Sequence, residues 1–326
     1  MIFSIKTYRP PVQLGMLALT LIWVIWKFTT TIPPVNNFPI YEPLSQIYFS
    51  FSAQGSALSI FLSIFLLLIQ AIYLSYIMQK HNLIERNNWI PAIIYLILSI
   101  ISINGQLTHV IIANTFIMLT FDRMFSSYES SKGIDNVMLA GFYTTFAFLF
   151  YFPSFVLIFA IITNLIIFRH VNWRYFMSIA IGVTIPILYL ATWYFLFDQL
   201  NIQFNAIRLL LSDLMEHIHK LMIDRITVTI LMTILLILSN IFLATHQQGK
   251  LIKIRKKTSV LIVFSIFSVI MLFASTYPTT QSLITVSFLV AATFSIQLSE
   301  SKRQILSASL FWGMVLMTIL ASLNVI

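Results

Sequence analysis

A bundle of about eleven membrane-spanning helices is the fold this sequence predicts, as one all-α transmembrane domain over residues 1–326. Three observations predict it. Of 326 residues, 59% are hydrophobic and only 9% charged, with a mean hydropathy of +0.92, where a soluble domain carries roughly 25% charged residues. Apolar runs of about 20 residues, the length that crosses a bilayer, follow one another along the whole chain. Lysine and arginine collect in alternate turns between those runs, the pattern that orients a polytopic protein. Glycine is scarce, at 8 residues, and no period-two alternation with frequent turns appears, so a β-barrel is set aside. Helices are then the way to satisfy the backbone in lipid.

The spans follow in order. The first covers about residues 12–28, after Pro10 and Pro11. Lys6 and Arg9 precede it, but no small-residue cleavage site follows, so it is expected to remain as a span and not be removed as a signal. A proline-rich outer loop, 29–55, leads to span two at about 56–78. Span three starts near Trp89, with Pro91 in its first turn, where proline is tolerated. Span four, about 106–121, is short and follows an Asn104-Gly105 turn. Span five runs from Asp135 to about Phe150, and span six from Pro153 to about Phe168. Span seven, about 174–197, holds Pro186, where a kink is expected. Span eight is about 222–245. A basic linker, 246–258, precedes spans nine, ten and eleven at about 259–275, 279–298 and 305–321.

With the amino terminus inside, fifteen of the nineteen lysines and arginines face the cytoplasm, and every inner segment holds at least two. The outer side keeps only Lys27, Arg208, Lys220 and Arg225. This predicts a cytoplasmic amino terminus and an outer carboxyl terminus. The +9 charge is read as orientation, not as affinity for nucleic acid. Cysteine is absent, which excludes disulfides, thiolate metal sites and cysteine nucleophiles. Usage of Ile, Phe, Lys and Asn points to an AT-rich bacterial gene.

Residues 198–225 stand apart as the long amphipathic segment of the outer face, with an interfacial helix expected over 198–222. Ile207, Leu211, Leu214, Ile218 and Leu221 make one face; Arg208, Ser212, Asp213, Glu216, His217 and Lys220 fall opposite. Asp213/His217 and Glu216/His219 have the spacing of proton-transfer or metal pairs, yet amphipathic helices collect such pairs routinely, and with no third ligand no metal is assigned. Arg208, Lys220 and Arg225 run against the positive-inside rule. An anionic lipid or lipid-linked pyrophosphate explains them, and so does pairing with Asp213, Glu216 and Asp224. Glu42 is the one acid of the first outer loop, framed by Pro39 and Pro43. It is either a general base held by a stiff loop or a solvated carboxylate.

Within the spans, His109 is either a functional group at membrane depth or a helix–helix contact. Asn114 lies in the same short span as His109, and Gln70, Asn164 and Asn240 are read as helix–helix contacts. Asp122-Arg123 lies on the inner side, and Asp135 reads as a first-turn acid. The run Lys253–Lys257, KIRKK, reads as an orientation signal that also meets anionic lipid. No P-loop, dinucleotide fingerprint, HExxH or GxSxG is present, so no cofactor is expected.

Two resemblances add to this reading. Residues 109–198 resemble an uncharacterised family of polytopic inner-membrane proteins of Bacteroidota. The likeness rests on Ala113-Asn114, Asp135, Ala140-Gly141-Phe142, Leu149-Phe150-Tyr151-Phe152-Pro153 and Asn172-Trp173-Arg174. It covers about a third of the chain and implies a bacterial inner membrane, with no activity attached. More distantly, the outline is similar to GT-C-type membrane glycosyltransferases. These have 11–13 spans, a cytoplasmic amino terminus, an acid in the first outer loop and an amphipathic outer loop after span seven. The chain departs from them in having a single Glu for the usual acidic pair and no carboxyl-terminal soluble domain.

That outline implies a transferase or polymerase of envelope glycans working from a polyprenyl-phosphate-linked sugar. Glu42 would act as base, His109 or His217 would assist proton transfer, and Arg208, Lys220 and Arg225 would hold phosphate. The rival reading is a non-enzymatic subunit that assembles with membrane protein partners; a transporter ranks third. Membrane lipid is an expected partner in each case.

Overall fold

The structure, a computed structural model, describes residues 10–30, 44, 57–102, 107–129, 133–201, 205, 207–209, 226–246, 251–275, 279–300 and 304–322. Among them the chain is helical throughout, with no strand. We number the α-helices α1 (Pro10–Thr30), α2 (Ala57–Lys80), α3 (Ile90–Ser99), α4 (His109–Glu129), α5 (Gly133–Phe150), α6 (Val156–Phe168), α7 (Trp173–Leu196), α8 (Ile226–Thr245), α9 (Ile252–Phe273), α10 (Thr279–Glu300) and α11 (Gln304–Ser322). Each overlaps one expected span. Short 3-10 turns extend α3 through Ser102 and lead into α6 from Phe152. Six of these helices, α2, α5, α7, α8, α9 and α10, are long and apolar enough to cross a membrane. That is the make-up of a multi-pass helical membrane protein.

Two helices differ from the expected bounds. α4 continues to Glu129, eight residues past the expected end of span four. Asp122 therefore lies inside a helix and not in a loop. α9 begins at Ile252, inside the stretch read as a basic linker, so the lysines of KIRKK are helical. In both cases polar residues extend an apolar helix, because lysine and arginine are good helix formers. Asp135 sits in the first turn of α5, where a carboxylate meets the positive end of the helix dipole.

α10 is the centre of the bundle. It packs against α3, α4, α8 and α9, and 94% of its apolar window is buried, against 22% for α7. Its hydroxyls explain how a Ser/Thr-rich helix tolerates that position. Thr285, Ser287, Thr293 and Ser295 each donate to a carbonyl three or four residues back at 2.8–2.9 Å, so they need no partner outside the helix. Thr293 and Ser239 of α8 also share a hydrogen bond of 2.8 Å. The exposed apolar residues lie on the outer helices, among them Phe61, Phe65, Tyr189, Phe195 and Leu196, as a lipid-facing surface requires.

α5 and α7 approach most closely through two glycines. A Cβ on Gly182 would lie 2.2 Å from the Met138 carbonyl oxygen, and one on Gly141 would lie 3.0 Å from that of Ile179. Small residues at such a crossing let two backbones meet, which is how membrane helices pack without a hydrophobic driving force between them.

Candidate functional site

The helices bring two polar constellations together inside the bundle. The first forms where α2 ends. Lys80 Nζ donates to both oxygens of Asp122, at 2.8 and 2.9 Å. His81 Nε2 donates to Asp122 Oδ1 at 2.9 Å, so that nitrogen carries its proton. Tyr73, two turns earlier on α2, lies near enough to the Asp122 carboxylate to feel its charge. From the other side, Lys257 of α9 donates to the His81 carbonyl oxygen at 2.8 Å. Asp122, His81 and Lys257 are buried; Lys80 is the member that reaches solvent, with a side chain 33% exposed. The His81 ring leans on Phe125, with centroids 5.0 Å apart.

The chain reverses here because Asn82 takes the left-handed conformation at φ 54°. The Leu83 N–H then bonds back to the Met78 carbonyl, a helix end that asparagine accommodates better than most residues. An open pocket of about 290 Å³ adjoins the turn, lined by residues 82–86 and by Ser299 and Glu300 of α10. The arrangement gives one carboxylate several donors and ties three helices together. Both ion pairs among the described residues end on Asp122.

The second constellation is neutral and lies deeper. Gln70 Nε2 donates to the Ile111 carbonyl and to Thr115 Oγ1, both at 2.7 Å. The Tyr95 hydroxyl donates to Gln70 Oε1. Asn114 Nδ2 donates to the Tyr95 oxygen at 3.1 Å and to Gln70 Oε1 at 3.3 Å. Gln70, Tyr95 and Asn114 are fully buried, and they join α2, α3 and α4. Ser265 of α9 donates to Asn240 of α8 at 3.2 Å. The reading of Gln70 and Asn240 as interhelical contacts holds, and Asn114 makes one as well. Asn164 does not follow it: the residue is buried on α6, yet neither side-chain polar atom has a hydrogen-bond partner.

Of the site residues expected from the sequence, two are described. His109 is the first residue of α4 and is buried at 4% exposure. Arg208 is exposed. Glu42, His217, Lys220 and Arg225 lie outside the described residues, as do Asp213, Glu216 and His219. No group of three or more metal-ligating side chains occurs among the described residues.

The Asp122 constellation escaped the sequence reading, which left Lys257 within an orientation signal. A signal was present. Extended backwards at helical spacing from Phe264, Leu261 and Val260, α9 puts Lys257 and Lys253 on the same face, and Lys257 is the one that is buried. No protein-family model, no curated protein and no solved structure matches the chain.

Proposed function

We propose that the chain is an eleven-span protein of a bacterial inner membrane, with its amino terminus in the cytoplasm and its carboxyl terminus outside. In this reading it handles lipid-linked sugars at the outer face, as a GT-C-like glycosyltransferase or polymerase of envelope glycans. The observation that supports the reading is the match between the eleven described helices and the eleven expected spans. The contacts at Asp122 agree with it, because Lys80, His81 and Lys257, all from inner segments in the expected orientation, meet at one end of the bundle. The amphipathic stretch 198–225 then leaves from the opposite end, between the long apolar helices α7 and α8. His109 opens α4 at that same opposite end. Glu42 would activate the acceptor hydroxyl, Arg208, Lys220 and Arg225 would hold the donor phosphate, and His109 or His217 would move the proton.

The test is a Glu42→Gln chromosomal replacement followed by analysis of envelope glycans. A missing or shortened glycan, with normal protein level, is the expected result; an unchanged glycan profile sinks the transferase reading.

A specific observation favours the second reading, a non-enzymatic membrane subunit. The charged and amide groups at Asp122 and at Gln70 bond partners on other helices, as locks between them. Stoichiometric co-purification of a membrane partner, with tolerance of Glu42→Gln, would put this reading first. Transport ranks third, because the buried charges gather at one end of the bundle, away from the middle of the spans, where a substrate path is built.

A further inference from the structure

A second basic surface lies at the same end of the bundle, where the α6–α7 turn meets the start of α9. Arg169 closes α6 in the left-handed conformation, at φ 59°. This lets the His170 N–H bond back to the Leu165 carbonyl at 3.0 Å and folds the imidazole inward. The ring stacks on Tyr175 with centroids 4.9 Å apart and planes 14° from parallel, and it lies 6.5 Å from the ring of Tyr128. Lys256 of α9 places its ammonium 4.9 Å from the centroid of that same Tyr128 ring. Tyr128 thus meets a lysine of α9 and a histidine of the α6–α7 turn. Gly133 allows the packing, since a Cβ there would come within 3.0 Å of the Tyr175 hydroxyl.

Two features of this surface point to a ligand. Among the described residues Arg169, Arg174 and Lys256 have no acidic partner, since both ion pairs there are made by Asp122. Beside these groups stand exposed apolar side chains, Val171 at 63%, Trp173 at 68% and Leu251 at 72%. Cations with no acid among the described residues and a flanking exposed tryptophan together suit a headgroup with acyl chains beneath it.

We propose that Arg169, His170, Arg174 and Lys256 form a binding site for the phosphate of an anionic phospholipid. The aromatic stack holds Lys256 and His170 in place, and Trp173 and Leu251 meet the upper acyl region. Arginine supplies the forked donors that phosphate accepts. This inference rests on the membrane reading alone and not on any glycan activity.

The experiment uses the full chain in a zwitterionic detergent. Short-chain phosphatidylglycerol, phosphatidylcholine and inorganic phosphate are titrated separately, and bound lipid is counted by native mass spectrometry. Phosphatidylglycerol is expected to bind at least tenfold more tightly than phosphatidylcholine. The Lys256→Gln/Arg174→Gln double variant is expected to lose about thirtyfold of that affinity, with an unchanged melting temperature in lipid-free detergent. Arg86→Gln, a basic residue of the separate pocket beside α10, should leave binding intact. Equal binding of the two lipids, or full retention in the double variant, overturns the proposal. Competition by millimolar inorganic phosphate as effective as by the lipid also overturns it, since the surface would then be a site for free phosphate.

Discussion

The two polar constellations of the bundle join the same pair of helices, α2 and α4, by opposite means. Near the basic end the link is ionic, a carboxylate held by Lys80 and His81 with Lys257 behind them. Along α2, ten residues earlier, the link is neutral, an amide, a phenol and a second amide. The difference follows solvent access. Lys80 reaches water, so part of its charge remains solvated while Asp122 is buried beside it. At Gln70 nothing reaches water, and an unpaired charge there would cost far more than an amide. The charged link is also the more vulnerable one, because removing one partner strands the others.

The largest expected effect tests that asymmetry. Asp122→Ala leaves Lys80 and His81 without the carboxylate to which both donate. We expect it to lower stability in detergent by about 3 kcal/mol, the lower end of the range for a broken buried pair because Lys80 is partly solvated. Unfolding in a thermal ramp or an SDS titration measures this. If the loss is no greater than for Tyr95→Phe, the contrast between the two links collapses. Asp122→Leu combined with Lys80→Met should recover much of the loss, since an apolar replacement of both partners strands less charge.

Gly182→Ala calibrates the comparison with a contact that has no polar group to lose. The added carbon would meet the Met138 carbonyl at 2.2 Å, so α5 and α7 must separate. A cost of about 1–3 kcal/mol is expected, as for overpacking elsewhere. Smaller effects are expected at the neutral link. Tyr95→Phe and Gln70→Leu should each cost about 0.6 kcal/mol and at most about 1.7 kcal/mol, the measured span for hydrogen bonds between membrane helices. A double-mutant cycle should show them coupled, because the tyrosine donates to the glutamine.

The smallest effect is one of pH, at His170 in the α6–α7 turn. Partial burial, and then the nearby charge of Lys256, hold its pKa below the ordinary histidine value. The unfolded chain therefore takes up the proton first as pH falls. His170 contributes stability that is present above pH 6.5 and is lost as pH drops through its folded pKa. The groups facing it are Tyr128, Phe168, Tyr175 and Lys256. His170→Gln should flatten the melting temperature between pH 7 and pH 5, and a slope as steep as the parent's would remove this contribution.

Much of this architecture was legible in the residue order. Each expected span overlaps a described helix, because a run of apolar residues has few ways to satisfy its backbone other than as a helix. The polar exceptions Gln70 and Asn240 were readable as interhelical contacts for the same reason, since each stands alone in an apolar run. Asp122 and Lys257 were harder. Their partners lie 42 and 176 residues away, and helical spacing puts Lys253 and Lys257 on one face without deciding which of them turns inward.

What the sequence determined by itself is the class of the protein: an all-helical chain whose long apolar segments require an apolar environment. The tertiary structure decided which segment is central. α10 and α7 are both apolar enough to cross a bilayer, yet one is enclosed by protein and the other is largely exposed. Lipid and protein interior are equally apolar, so hydropathy does not distinguish them. The arrangement also decided which lysine of KIRKK is buried. That choice depends on the rotation of α9 against the end of α2, which is set by the packing of helices far apart in the chain.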